Sequence, residues 1–229
     1  MSKIVDALRQ AEAARLNGNS GRDDRNKRRA FDIVTIASNK GGVGKTTIAS
    51  NLAVYLRALR EDEPVLMLGL DDQTPLDRMF ALDSSASEAA PGDDIADGLR
   101  EQSLERVTRF GQYGVDYVPT SRDLAGLRNH TGGPGFLRQT LMASRENGTV
   151  VIDTKSDFER PTCAAILASD LTLVIVKDQA SLLEARRTFD LLEKAKRPRE
   201  SAKILLSLVD KRVKYHEGEQ TDGGHERDP

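Results

Sequence analysis

Short apolar runs alternate with longer amphipathic stretches along most of this 229-residue chain. Residues 64–70 are continuously apolar, which is typical of a strand buried on both faces of a sheet, and residues 171–176 predict a second buried strand. Strands separated by helices predict an α/β fold, a mostly parallel sheet flanked by helices with ligands at the carboxyl ends of the strands. The predicted strands cover residues 31–38, 64–70, 114–119, 148–153, 171–176 and 203–209, and the predicted helices cover residues 45–60 and 181–196.

The stretch 45–60 also predicts which of its faces packs on the sheet. One side of this helix is apolar and is formed by Ile48, Leu52, Tyr55, Leu56 and Leu59. We therefore expect these side chains in the core.

The two ends of the chain differ from the alternating part, which we predict to be one domain over residues 31–215. Residues 1–18 predict an amphipathic helix, and residues 19–30 predict a flexible basic linker. The polar tail, residues 216–229, is predicted to be disordered because it has no apolar side chains to bury. Two interpretations of the helix predicted over residues 1–18 stay open. It is either a strut or frayed end of its own domain, or a docking element for a partner.

Composition excludes some classes of protein. The chain is 38% hydrophobic and 31% charged with a formal net charge of −2, which describes a globular protein but leaves any basic surface to local patterns. The single cysteine, Cys163, supplies only one thiolate, and an iron–sulfur cluster held by one chain needs several. No apolar run approaches the roughly 20 residues that a membrane-spanning helix needs, so a cytoplasmic protein without a transmembrane segment is expected.

The stretch SNKGGVGKTT, residues 38–47, carries the clearest chemistry. It follows a predicted strand and opens a predicted helix, the context in which a glycine-rich loop ending in Lys-Thr indicates a phosphate-binding P-loop. The expected ligand is ATP or ADP with Mg²⁺. The loop amides can surround phosphate oxygens, Lys45 is expected to bridge the β- and γ-phosphates of ATP, and the Thr46 hydroxyl is expected to bind Mg²⁺. The predicted nucleotide-binding residues of the loop are Lys40, Gly41, Gly42, Val43, Gly44, Lys45, Thr46 and Thr47.

The loop resembles the signature K-G-G-x-G-K-[ST]-[ST] of the ParA/MinD family of deviant Walker A ATPases, and KGGVGKTT matches it at every position. The resemblance covers roughly residues 31–215. It implies a nucleotide-sandwich homodimer formed with ATP, in which Lys45 serves its own nucleotide and Lys40 reaches the phosphates of the partner chain. Both lysines are therefore predicted catalytic residues, and the alternative for Lys40 is a solvated side chain at the edge of the loop.

The stretch VLMLGLDDQ resembles the family pattern V-L-L-x-D-x-D-P-Q and places Asp71 on the second aspartate. The resemblance implies that Asp71 orients or activates the attacking water and lies near the metal; a turn or capping aspartate is the alternative. Gly69 replaces the first aspartate of the pattern and Asp72 replaces its proline, which leaves the rate of hydrolysis open.

Two further strand ends resemble family motifs. TVVIDTKSD is similar to the Walker B strand, so Asp153 is expected to hold a Mg²⁺-bound water, together with Thr46 and Asp71 as the predicted metal-binding set. Lys155 stands where the family often has proline. ILLSLVDKR resembles the strand whose end lies near the nucleotide base in ParA proteins, which makes Asp210 a candidate base contact.

Basic residues concentrate in segments 25–29, 193–203 and 211–214. Family members bind DNA non-specifically through such clusters, by phosphate contacts that weaken as salt rises; the alternative is a solvated charged surface. The chain lacks the C-terminal membrane helix of MinD proteins and is short at this end, so membrane association is not expected. A ParB-like or adaptor protein would be a separate partner, and binding to DNA would place the protein on the nucleoid.

Two functional hypotheses follow. The first is an ATP-driven dimer switch that partitions DNA or positions other cargo and hydrolyses ATP slowly. The second is a scaffold or regulator that binds nucleotide, hydrolyses it negligibly and docks a partner through residues 1–18; Gly69, Asp72 and Lys155 motivate it. A tyrosine autokinase is disfavoured because only Tyr215 lies near the end of the chain.

Overall fold

The computed structural model describes residues 32–71, 76–82, 93–121, 135–144 and 148–208. The predicted segments 1–18, 19–30 and 216–229 lie outside these ranges, so the predictions for them stay predictions.

A seven-stranded sheet organises the described part of the chain, in the order β3-β4-β2-β5-β1-β6-β7. Neighbouring strands are parallel except β3 and β4, which confirms the predicted mostly parallel sheet. The antiparallel edge strand β3 was not predicted, because two residues are too few to show a pattern. The strands are β1 (Asp32–Ala37), β2 (Val65–Leu70), β3 (Arg109–Phe110), β4 (Asp116–Val118), β5 (Thr149–Thr154), β6 (Leu171–Val176) and β7 (Ala202–Leu206).

Helices cover both faces of the sheet. Successive residues of a strand point to opposite faces, and in β2 Leu66 and Leu68 join one apolar cluster while Val65 and Met67 join the other. This explains why β2 is continuously apolar: it is buried on both sides. The helices are α1 (Lys45–Leu59), α2 (Leu76–Phe80), α3 (Ile95–Glu101), α4 (Phe136–Ser144), α5 (Arg160–Ala168) and α6 (Gln179–Lys194), with 3₁₀ turns at Gln112–Gly114 and Arg199–Ser201.

Helices α1 and α2 contribute to the cluster on one face, and α3, α4, α5 and α6 contribute to the clusters on the other.

The packing face of α1 differs from the predicted one. Leu52 and Leu56 are buried, but Tyr55 is 37% exposed and Leu59 is 51% exposed. The fully buried small residues Ala49 and Ala53 take their place against the sheet. Because alanine is small, it allows the helix to approach the strands closely. The apolar pattern predicted large side chains on this face, whereas close packing there uses small ones.

The strand order brings four chemically important strand ends together. Strands β2, β5, β1 and β6 are consecutive neighbours in the sheet and all run parallel, so their carboxyl ends share one edge. The glycine loop follows β1, and Asp71 follows β2. In the register of the sheet, Asp153 of β5 lies beside Ile36 of β1 and beside Gly69 of β2.

The entry into β5 depends on Gly148, which we use as a test of this sheet. Its φ of +106° is rarely adopted by other residues, and a Cβ there would lie 2.3 Å from the carbonyl oxygen of Pro64, which accepts a hydrogen bond from Thr149. Gly148→Ala is therefore expected to lower the free energy of unfolding by about 2–3 kcal/mol, measured by urea denaturation.

Gly135→Ala is the matched control, since Gly135 has a similar φ of +103° but a Cβ there would meet no atom within 4 Å. It should cost only the backbone strain. Equal losses in the two variants would contradict the packing described for Gly148.

Candidate functional site

The loop between β1 and α1 has the backbone of a phosphate cradle. Gly42 and Gly44 have φ angles of +66° and +89°, in the region that favours glycine. Gly44 is the N-terminal cap of α1, and its carbonyl accepts a hydrogen bond from the Ile48 amide at 2.9 Å. The first amides of a helix have no partner within the helix, so the N-terminus of α1 presents donors and a partial positive charge toward the loop.

Lys45 is the first residue of α1 and is only 7% exposed. Its Nζ donates a hydrogen bond to Oγ of Ser156. Burial lowers the pKa of Lys45, and the carboxylates of Asp153, Asp71 and Asp157 act in the opposite direction. A buried ammonium close to several carboxylates fits a position where it balances the charge of bound phosphates.

Asp153 lies at the centre of the site and is fully buried. Its Oδ2 accepts a hydrogen bond from the Thr46 hydroxyl at 2.6 Å, and among the described residues its Oδ1 has no hydrogen-bond partner. Burial raises the pKa of this carboxyl from 3.8 to about 6, against the opposing effects of Thr46 and Lys45. An unpartnered carboxylate oxygen inside a protein is costly, which indicates a ligand at this position.

The donor set fits Mg²⁺ that is also bound by phosphate. Thr46 and Asp153 supply oxygen donors side by side, whereas no group of three or more His, Cys, Asp and Glu among the described residues could hold a metal by itself. Mg²⁺ commonly takes one or two protein oxygens and completes its coordination with water and substrate phosphates. Thr46 and Asp153 are therefore the residues that would hold it.

Asp71 follows β2 at the same edge of the sheet. Its charge contributes to the pKa shifts of both Lys45 and Asp153, which places it in the electrostatic neighbourhood of the site. Its catalytic and metal-binding roles stay predictions. Gly69, which stands at the first aspartate of the family pattern, packs closely: a Cβ there would lie 2.9 Å from Leu76 Cδ1 and 2.9 Å from Thr120 Oγ1.

Lys40 is held by its own chain. Its Nζ lies 2.5 Å from Oδ2 of Asp178, the residue that caps the N-terminus of α6, and the pKa of Asp178 is held well below its usual range chiefly by this contact. The other oxygen of Asp178 accepts hydrogen bonds from the amide and hydroxyl of Ser181. The side-chain amide of Asn39 contacts Glu184, so two residues at the start of the loop are linked to α6.

Sequence reasoning and structure therefore overlap in part. The structure brings Lys45, Thr46 and Asp153 together, whereas Asp72 and Asp210 lie outside the described residues. Ser156 and Asp178 also contact lysines of the loop, but the sequence motifs did not predict them as site residues. The available signal for both was a polar residue just after an apolar strand, at the carboxyl edge where ligands bind.

A fold and loop of this kind define a nucleotide-binding P-loop protein. A family model described as an AAA domain, of the ParA/MinD type, matches residues 31–203, so the chain belongs to this family of ParA-like P-loop ATPases. The "Chromosome partitioning protein ParA" of Caulobacter vibrioides is 28% identical over 194 residues, which cover 79% of this chain and 70% of that protein.

Solved structures share the fold. A putative plasmid partition protein from Borrelia burgdorferi bound to AMPPNP superposes with a TM-score of 0.63 at 20% identity, over 77% of this chain and 74% of that one. Cobyrinic acid a,c-diamide synthase from Mycobacterium smegmatis, with an ATP analogue and magnesium, gives 0.60 at 18% identity, over 76% and 72%. Related proteins of this fold thus bind ATP analogues and Mg²⁺, and the same fold serves different reactions.

The buried carboxyl of Asp153 generates a prediction for the nucleotide-free, metal-free protein. Asp153→Asn is expected to raise the free energy of unfolding at neutral pH by about 1–3 kcal/mol, because a neutral amide avoids the cost of ionising a carboxyl whose pKa is about 6 instead of 3.8. Urea denaturation at pH 5 and pH 7.5 measures this difference in the free energy of unfolding, provided that the variant and the wild type have equal m-values.

The pH dependence of this stability difference follows from proton binding to Asp153. The folded chain binds the proton of Asp153 more tightly than the unfolded chain, so its stabilising effect is present below about pH 4 and is lost as the pH rises through about 6. The advantage of the variant should therefore grow over this interval. Glu105→Gln, at an exposed position, controls for removal of a charge. A variant less stable than wild type at pH 7.5 would contradict the assignment.

Proposed function

We propose that this chain is an ATP-dependent partition or positioning switch: it binds ATP with Mg²⁺, forms a sandwich homodimer, binds DNA without sequence preference and returns to the free state by slow hydrolysis. The observation that carries the nucleotide site is the hydrogen bond from half-buried Thr46 to the buried carboxylate of Asp153, beside Lys45 at the N-terminus of α1. Membership of the ParA-like family supports the partition role.

Each residue has a defined part in the proposed reaction. The loop amides and Lys45 bind the phosphates and stabilise the negative charge on them, while Thr46 and Asp153 hold the metal side of the site. Bound Mg²⁺ would supply charge neutralisation of the phosphate oxygens. Asp71 orients the attacking water.

Lys40 is proposed to change partners when the dimer forms. Its side chain and that of Asp178 are 35% and 38% exposed, and ion pairs this accessible to water contribute little net stability. The pair can therefore be broken at small cost, and Lys40 can reach the phosphates of a second chain. After this exchange Oδ1 of Asp178 keeps its hydrogen bonds from Ser181, and Oδ2 can be hydrated because the side chain is partly exposed.

DNA binding is proposed for the basic segment 193–203, which spans the end of α6 and the start of β7. Lys194, Lys196 and Arg199 are exposed there and are available to phosphates, although the carboxylate of Glu193 lies among them. Contacts of this kind position a protein on DNA without reading its sequence. The proposed location is the cytoplasm, on the nucleoid in the ATP state.

A ParB-like or adaptor protein is the proposed partner that accelerates hydrolysis and supplies the cargo. No helix in the described ranges is long and apolar enough to cross a membrane. The scaffold hypothesis remains the alternative outcome, because it shares nucleotide binding and differs in turnover.

The two lysines of the loop give the direct test. Lys45→Ala should lower the affinity for ATP·Mg²⁺ by about 100-fold or more, because the phosphates lose a buried charge-assisted contact. Lys40→Ala should retain ATP binding but lose ATP-dependent dimerisation. Isothermal titration calorimetry measures the first effect and light scattering after size exclusion measures the second.

Lys203→Ala, an exposed lysine on the edge strand β7, is the matched control for both measurements. Unchanged ATP affinity in Lys45→Ala would refute the nucleotide site. Normal dimers of Lys40→Ala would refute the proposed exchange of partners while leaving the site intact.

DNA binding is tested by anisotropy of a fluorescent duplex of arbitrary sequence, titrated in ATP·Mg²⁺ and in ADP·Mg²⁺. We expect binding with ATP only, with an affinity that falls by about 10-fold or more between about 50 mM and about 200 mM salt. A variant with Lys194, Lys196 and Arg199 changed to glutamine should bind more weakly and show a smaller salt slope. Binding in neither nucleotide would favour the scaffold hypothesis.

A further inference from the structure

We infer that Ser156 is a positioning residue for the γ-phosphate, so that its hydroxyl lets the site distinguish ATP from ADP. This inference rests on the proposed nucleotide site. Ser156 follows Asp153 by three residues, at a position to which neither the P-loop motif nor the Walker B motif gives a role.

The geometry places Ser156 against the phosphate loop. Its Oγ accepts the hydrogen bond from Nζ of Lys45 and lies 3.9 Å from the position that a Cβ on Gly41 would occupy. The side chain is half-buried, in the segment that connects β5 to α5. The hydroxyl therefore lies between the glycine loop and the lysine that is expected to hold the terminal phosphates.

The hydrogen-bonding capacity of serine fits this position. A hydroxyl accepts hydrogen bonds and donates one, so Ser156 can keep Lys45 as its donor and still direct its own proton to an oxygen. An oxygen of the γ-phosphate bound by Lys45 would lie close to Ser156, because both would contact the same nitrogen. ADP has no γ-phosphate, so it would leave the hydroxyl proton without this acceptor.

The segment around Ser156 is held in place by its neighbour. One oxygen of Asp157 accepts hydrogen bonds from the amide of Glu159 at 3.1 Å and from the hydroxyl of Thr162 at 2.9 Å, at the start of α5. These contacts tie the connecting segment to a helix of the core. The Ser156 hydroxyl is thereby positioned in advance, and less ordering is needed when the phosphate binds.

The test compares dissociation constants for AMPPNP·Mg²⁺ and ADP·Mg²⁺ by isothermal titration calorimetry, without reliance on turnover. Ser156→Ala should lower the affinity for AMPPNP by about 10-fold and the affinity for ADP by about twofold or less. The variant loses a hydrogen bond to a charged oxygen of the γ-phosphate, which only AMPPNP carries. Ser156→Thr keeps the hydroxyl and should restore the preference. Ser103→Ala, on the loop after α3, is the control hydroxyl deletion.

Two results would overturn the inference. If Ser156 only holds Lys45 in the absence of nucleotide, Ser156→Ala should raise the affinity for both nucleotides equally. The preference for AMPPNP over ADP would then not change. A loss that is equal for both nucleotides would indicate a purely structural role. Wild-type protein that binds neither nucleotide would refute the proposed function as well, whereas normal wild-type binding with either result above refutes only the role of Ser156.

Discussion

The buried carboxylate of Asp153 is the interaction on which the site depends. It joins the centre of the sheet to the start of α1 through the Thr46 hydroxyl, and it keeps one oxygen without a hydrogen-bond partner among the described residues. A chain selected for stability alone would satisfy or remove this carboxyl, since its burial raises the cost of ionisation. The cost is understandable if a cation and phosphates occupy the site during function.

The two lysines of the loop occupy different physical environments. Lys45 is buried among carboxylates, whereas Lys40 is partly exposed and paired with Asp178 at the N-terminus of α6. A buried cation is suited to a permanent place beside phosphates, and an exposed one can exchange partners at low cost. This difference gives a physical basis for assigning one lysine to the chain's own nucleotide and the other to a second chain.

Much of the fold was predictable because its signals are local. Continuous apolar runs indicated parallel strands buried on both faces, and the glycine loop between a strand and a helix indicated the phosphate site. The packing face of α1 was predicted less well, because Ala49 and Ala53 carry little hydrophobic signal although they are fully buried. The edge strand β3 was missed because two residues leave no periodicity.

The sequence by itself determined the loop chemistry, the strand ends that carry carboxylates and the class of fold, since these depend on residues that are close together in the chain. Only the tertiary structure decided which side chains meet. Lys45 and Ser156 are 111 positions apart, and Lys40 and Asp178 are 138 positions apart. These pairs form because β5 and β6 lie on either side of β1, and strand order is a property of the whole packed sheet that no local pattern encodes.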